Sequence, residues 1–221
     1  RDRSVSRGLG DVYKRQTPWR AMRESYTDCR EYMPLPPFVN PRPAEEVPEV
    51  YVVDSQNLSV GHGWLGLAAA EAAKDGKSVG EILSLLEDLT PRVEISFVLD
   101  RLDYMKKGGR CSAVTALGAN LLKLHPCIEV ISGRMGVTKK YRGSMEKVVA
   151  DYVRDRVATR TDIDRHRVFL VDSCRTPGIQ ETARRVLEEC GHFDEIIEAK
   201  AGCTVFCHCG PDTLGLVFLR K

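Results

Sequence analysis

At 221 residues with 43% hydrophobic content, the chain is long enough for one large domain or two small ones around a real core. Its formal charge of +2 is unevenly placed: residues 1–43 hold nine Lys/Arg against five Asp/Glu, and the remainder holds 24 against 26. The basic excess belongs to the leading segment and argues nothing for nucleic acid, and no apolar run approaches the roughly 18 residues of a spanning helix. The first residues lack the order of a signal peptide, and eight cysteines in a long chain without one read as reduced thiols. The expectation is a soluble, cytoplasmic protein.

Residues 1–16 fit no helix or strand period. Asp11-Val-Tyr-Lys-Arg-Gln16 is encodable by GATGTGTATAAGAGACAG, a string that resembles the transposon end of sequencing adapters. These residues are therefore set aside as an artefact. Residues 17–43 are rich in Arg, Pro and Tyr, and Pro34-Leu35-Pro36-Pro37 forbids regular structure. A linker or a misread frame both fit that composition, and disorder is expected.

From Glu49 the pattern is regular. Val50-Tyr-Val-Val53 is a short continuous apolar run, which predicts a buried strand. A helix is predicted over 64–74, stopping at Gly76. Ser78 caps a second helix, with Glu81 three residues on as a capping box, and Pro91 ends it. This block is too small to bury both faces of its strand, so residues 44–90 read as the remnant of a parallel α/β domain.

Residues 91–221 read as a second, complete domain. A strand over 94–99 leads through a helical turn at 102–107 to Gly108-Gly109-Arg110. A small-residue helix is predicted over 112–124, closed by His125-Pro126. Strands over 127–131 and 137–141 flank a Ser132-Gly133 turn and predict a hairpin. Helices over 144–158 and 178–190 alternate with strands over 168–172, 194–199 and 213–220. The fold class expected is α/β (α+β), a mixed sheet with helices on one side.

Three polar groups stand beside glycines. Paired glycines free the backbone to present Arg110, whose guanidinium is a fork for carboxylate or phosphate. Arg142 sits in Tyr141-Arg142-Gly143 after a Lys139-Lys140 pair, and His208 precedes Gly210-Pro211. Each also has a local alternative, such as pairing with Asp100 or Asp103, solvation, or a bond to nearby backbone. Cys203, Cys207, His208 and Cys209 resemble a metal cluster, but in an extended chain His208 faces away from its flanking cysteines. No second zinc knuckle accompanies them. The helix over 112–124 packs as core or walls a narrow apolar tunnel. No Ser-His-Asp order, P-loop or dinucleotide fingerprint is present.

Four ordered motifs carry a resemblance. Val50-Tyr-Val-Val-Asp54-Ser55-Gln-Asn-Leu-Ser59, then Phe97-Val-Leu-Asp100-Arg-Leu-Asp-Tyr104-Met-Lys-Lys-Gly-Gly-Arg110, Lys140-Tyr-Arg142-Gly143 and His208-Cys-Gly210-Pro-Asp-Thr-Leu-Gly215 resemble the DegV family of bacterial fatty-acid-binding proteins. The resemblance covers about residues 45–221. It implies a two-domain fold with a long-chain fatty acid held between the domains, no catalytic step of its own and no cofactor. The partner implied is a fatty acid kinase that uses ATP to make acyl-phosphate, with peripheral membrane contact for lipid exchange.

By motif position the resemblance implies that His208 joins the carboxylate network, while Arg110 and Arg142 serve the head group or dock the kinase. Ala113, Ala116, Leu117 and Leu121 would line the acyl tunnel. The family's Thr-Ser-x-Pro-Ser type motif and its later Ser-Gly-Thr-Tyr segment do not occur here. The expectation is therefore an N-terminally truncated member with impaired lipid binding. A zinc or redox module on the C-terminal cysteines and a lipid-free interaction domain are the competing readings.

Overall fold

The computed structural model describes residues 51–108 and 124–221. Gln56 to Lys221 form one compact unit, and residues 51–55 lie outside it. Within the unit the chain runs α1 (Ser59–Lys74), α2 (Val79–Leu89), a 3₁₀ turn (Thr90–Arg92), β1 (Val93–Val98) and α3 (Asp103–Lys107). It resumes with β2 (Leu124–Ile131), β3 (Arg134–Arg142), α4 (Met145–Val157), β4 (Ile163–Asp172), α5 (Ile179–Gly191), β5 (Glu195–Lys200), α6 (Cys203–Cys209) and β6 (Leu214–Arg220).

The six strands form one sheet in the order β3-β2-β1-β6-β4-β5. Every neighbouring pair is antiparallel except β4 and β5, which α5 joins as a parallel crossover. This is the mixed sheet expected from interleaved helices and hairpins. The hairpin turn holds Ser132 at φ 48° and Gly133 at φ 73°. Two successive positive values match the twist of the flanking strands. Central β6 reads Leu-Gly-Leu-Val-Phe-Leu and is buried on both faces, as a continuous apolar run requires.

Alternation along the strands sends side chains to two different cores. On the first face α4 and α5 cover Val98, Cys127, Val168, Leu170, Leu214, Leu216 and Phe218. On the second, α3 and α6 bring Leu102, Met105 and Cys209 against Phe97, Leu99 and Ile128. Farther along that second face Trp64 of α1 meets Phe169 edge-on at 5.8 Å. Arg167 stacks 4.9 Å over the Trp64 ring and pairs with Glu71 of α1 and Glu195. Helices thus cover both faces, where the sequence pattern alone suggested one. The reason is that α1, α3 and α6 are docked by a few large or glycine-mediated contacts, which no helical period reveals.

Three local expectations also change. Residues 51–54 form no strand, and Tyr51 and Val52 stand exposed. Among the described residues no strand pairs with them, and an apolar run becomes a buried strand only between neighbours. Leu124, His125 and Pro126 open β2, and the rest of the helix predicted over 112–124 lies outside the described residues. Pro126 is tolerated there because it lies beyond the end of β1, where its carbonyl accepts from Leu99 N at 3.2 Å. Cys203–Cys209 is helical, not extended.

The helix starts follow sequence logic more closely. Ser78 Oγ accepts from Glu81 N, and Glu81 accepts from Ser78 N at 2.8 Å, completing the capping box. Ser144 caps α4 by accepting from Lys147 N. No described helix is long and apolar enough to cross a membrane.

Candidate functional site at one end of the sheet

The C-terminal end of β1 and the N-terminal end of β6 lie side by side, with Val98 opposite Leu214. The chain leaves β1 there into α3 and enters β6 there from α6, so the second and fourth motifs meet. Their contact depends on two glycines. A Cβ on Gly108 would overlap Nδ1 of His208, and a Cβ on Gly210 would overlap the Tyr104 ring. Gly210 also holds φ at +80°, which side-chain-bearing residues rarely adopt. His208 is therefore seated against the backbone of Gly108, at the C-terminal end of α3.

The α6–β6 turn is fastened to the loop after β4. Asp212 accepts from Arg175 N at 2.8 Å, Thr176 N at 2.9 Å and Thr176 Oγ1 at 2.7 Å. Burial works to raise the Asp212 carboxyl, but the bonds from Thr176 and Arg175 outweigh it and hold the group below the ordinary range. Ser173 Oγ donates to Gly210 O at 2.7 Å, and Thr213 Oγ1 donates to Cys209 O at 3.0 Å. Beside them Asp172, with a fully buried side chain, accepts from Lys200 Nζ at 2.7 Å and from Cys174 N at 2.9 Å. The Lys200 ammonium is held above its usual range chiefly by that bond. Burial likewise pushes the Cys174 thiol up to about 12.

These fasteners were not singled out from the sequence. A usable signal existed at Asp212, since aspartate after proline in a tight turn tolerates positive φ, observed here at 55°. Nothing local marks Ser173 or Lys200, whose partners lie 37 and 28 residues away.

Arg142 ends β3, paired with Leu124 at the start of β2. It lies at the same end of the sheet as His208, but β3 is three strand spacings, roughly 14 Å, from β6. It lines its own groove of about 720 Å³ with Lys139, Lys140, Lys147, Arg154, Asp151 and Asp155, and His208 is not in that lining. Lys139 pairs with Asp155, and Lys147 with Asp151. Among the described residues no ion pair engages Lys140 or Arg142. Arg110 and the tunnel positions Ala113, Ala116, Leu117 and Leu121 lie outside the described residues.

Among the described residues no three His, Cys, Asp or Glu side chains are grouped to hold a metal. The described cysteines carry free thiols. His125 is buried, with Nδ1 3.2 Å from Leu99 O and 3.6 Å from Asp100 Oδ1. It holds the strand end that precedes α3.

Sheet order, a single parallel pair at one edge and two short helices locked through glycines at the strand ends define a mixed-sheet α/β domain. The profile described as uncharacterised protein, DegV family, matches residues 42–221, and the chain belongs to that family. A DegV domain-containing protein of Caldanaerobacter subterraneus subsp. tengcongensis is 30% identical over 174 residues, which are 78% of this chain and 61% of the relative. The chain therefore spans about three fifths of that relative's length. Among solved structures, a DegV family protein from Thermus thermophilus described as fatty-acid-binding superposes with a TM-score of 0.70 at 27% identity. That match covers 80% of this chain and 64% of the other. A DegV family protein from Corynebacterium glutamicum gives a TM-score of 0.68 at 25% identity, over 80% and 67%.

Proposed function

We propose that this chain supplies one wall of a fatty-acid site in a cytoplasmic carrier without catalytic activity of its own. The carrier presents the carboxylate of a long-chain fatty acid to a partner fatty acid kinase for ATP-dependent acyl-phosphate formation. The observation that carries the reading is the seating of His208 against Gly108 where two family motifs converge. It is supported by the likeness to the fatty-acid-binding protein from Thermus thermophilus. In this reading residues 44–90 belong to a first domain and residues 91–221 to a second, with the acyl chain between them.

The physical logic is simple. An acyl chain gains about 0.8 kcal/mol for each methylene taken from water. A few polar groups at one end then decide which end faces out. An imidazole suits that task because it donates to a carboxylate near neutral pH. In this reading, by motif position, Arg110 serves the head group or docks the kinase, and Ala113, Ala116, Leu117 and Leu121 line the acyl tunnel. Arg142, in its own basic groove, serves docking of the kinase in this reading. Contact with a membrane surface serves lipid exchange.

The test is lipid extraction and mass spectrometry of protein expressed from its full reading frame, followed by addition of ATP and a fatty acid kinase. Copurified long-chain fatty acid and kinase-dependent acyl-phosphate are expected. His208→Ala should lose lipid, whereas Arg142→Ala should keep lipid and lose product. Protein that carries no fatty acid and supports no acyl-phosphate overturns the proposal. If a partner still docks on the Lys140 and Arg142 groove without lipid, the chain is an interaction domain.

A further inference from the structure

The helical conformation of residues 203–209 changes what their thiols can do. Cys203 and Cys207 stand four positions apart within α6, so their Cβ atoms lie on one face about 5–6 Å apart. Both are exposed, whereas Cys127 and Cys209 are buried and Cys174 and Cys190 are half-buried. The helix therefore presents a pair of adjacent thiols to solvent and turns Cys209 into the core of the second face. We propose that Cys203 and Cys207 form a two-thiolate clamp for a soft, low-coordinate cation of the Cu(I) class.

Coordination number decides the class of ion. Zinc in a structural site requires four ligands in a tetrahedron. Among the described residues no third His, Cys, Asp or Glu completes such a set. A monovalent d¹⁰ ion prefers thiolate and is satisfied by two sulfurs. Each thiol gives up its proton to solvent as its sulfur binds, two S–Cu bonds form, and the copper stays Cu(I). No oxidant or reductant is needed.

A disulfide between the same two residues is the less favourable product. The two thiols stand on successive turns of a helix, and bringing the sulfurs to bonding distance would unwind it. The cation bridges them with α6 intact. Cys207 directly precedes His208, so an occupied clamp also stiffens the helix that seats the imidazole against Gly108. The proposal rests on thiol geometry alone and is independent of the lipid reading.

The experiment titrates the whole chain, carrying Cys29→Ser and Cys111→Ser, with acetonitrile-stabilised Cu(I) under argon against a chromophoric Cu(I) chelator. One tightly held ion per chain is expected. Cys203→Ser or Cys207→Ser should each weaken it on the order of a hundredfold, the loss that follows removal of one arm of a two-point attachment. Bound Cu(I) should shield both thiols from iodoacetamide, read by peptide mass spectrometry. Serine is tolerated at both exposed positions, and unchanged far-UV circular dichroism verifies this. Single variants that bind like the parent overturn the proposal. So do loss of binding in the Cys29→Ser/Cys111→Ser background, equally tight Zn²⁺ binding, and alkylation of both cysteines at the full rate in the presence of Cu(I).

Discussion

The two faces of the sheet are packed by different means. Under α4 and α5 the core is continuous, and Val148, Val149, Tyr152, Val153, Val157, Ala183, Val186 and Leu187 are all fully buried. Tyr152 sits at its centre, with its hydroxyl donating to Ser96 O at 2.9 Å and accepting from Leu216 N at 3.1 Å. Under α3 and α6 the core is small, and contact is set by glycines that let backbone approach His208 and Tyr104. The first arrangement maximises apolar area removed from water, which is where stability comes from. The second gives up area for close approach, which is how a polar side chain is held in one place. Stability and positioning are thus assigned to opposite sides of one sheet.

That division breaks if the two sides respond alike to substitution. Tyr152→Ala should destabilise the fold by about 3–5 kcal/mol, because it opens a cavity and leaves Leu216 N and Ser96 without their partner. Tyr152→Phe keeps the packing and should cost about 2 kcal/mol from the lost hydrogen bonds. Urea denaturation of both variants measures the difference. Equal, small losses would mean that the first face does not carry the stability.

On the second face, Gly210→Ala should cost about 1–3 kcal/mol, from strain at positive φ and overlap with the Tyr104 ring. Gly108→Ala tests positioning more directly. Its φ is not positive, so the variant is spared that strain. The imidazole of His208 must nevertheless move away from Gly108. The expected result is a nearly unchanged urea midpoint with shifted His208 imidazole NMR resonances. A large stability loss with His208 undisturbed would reverse the assignment.

Legibility in the sequence follows the same line. The first face was readable because its determinants are local: the Ser144 cap, the Ser132-Gly133 turn, and the apolar runs of β4 and β6 all lie within a few residues of what they shape. On the second face only the Ser78 cap of its outer layer was readable in that way. The helicity of residues 203–209 is set by tertiary contact with α3, and helices this short are not stable by propensity. Pro126 was not legible as a strand residue, because proline is confined to exceptional strand positions and only its place past the end of β1 admits it. The site residues were legible by type, since Gly108, His208 and Gly210 were conspicuous. Their mutual contact was not legible, because residues a hundred positions apart meet only once β1 and β6 pair. The pairing of Asp172 with Lys200 was hidden for the same reason.

A smaller test concerns the outer layer of the second face. Ser78→Ala removes the side chain that accepts from Glu81 N, and should cost about 1 kcal/mol. Glu81→Ala removes the reciprocal bond and should cost less. If α2 is a passive cover, neither change should move the His208 resonances, and a shift there would tie the outer layer to the site.

The smallest effect is expected at the rim of the first face, where Arg160 stacks 5.4 Å over Phe218 and pairs with both Glu94 and Asp162. The side-chain bond from Arg160 holds the Asp162 carboxyl down at about 2. A depressed carboxylate stabilises the fold above the unfolded-state value near 4, and that contribution is lost as pH falls toward about 2. Asp162 is half exposed, so solvent screening limits the contribution to under about 1 kcal/mol. Comparing wild type with Asp162→Asn by denaturation at pH 6 and at pH 2.5 isolates it. The variant should be slightly weaker at pH 6, and the difference should shrink at pH 2.5. A gap that widens on acidification would place the acid-sensitive group elsewhere and leave the first face dependent on packing alone.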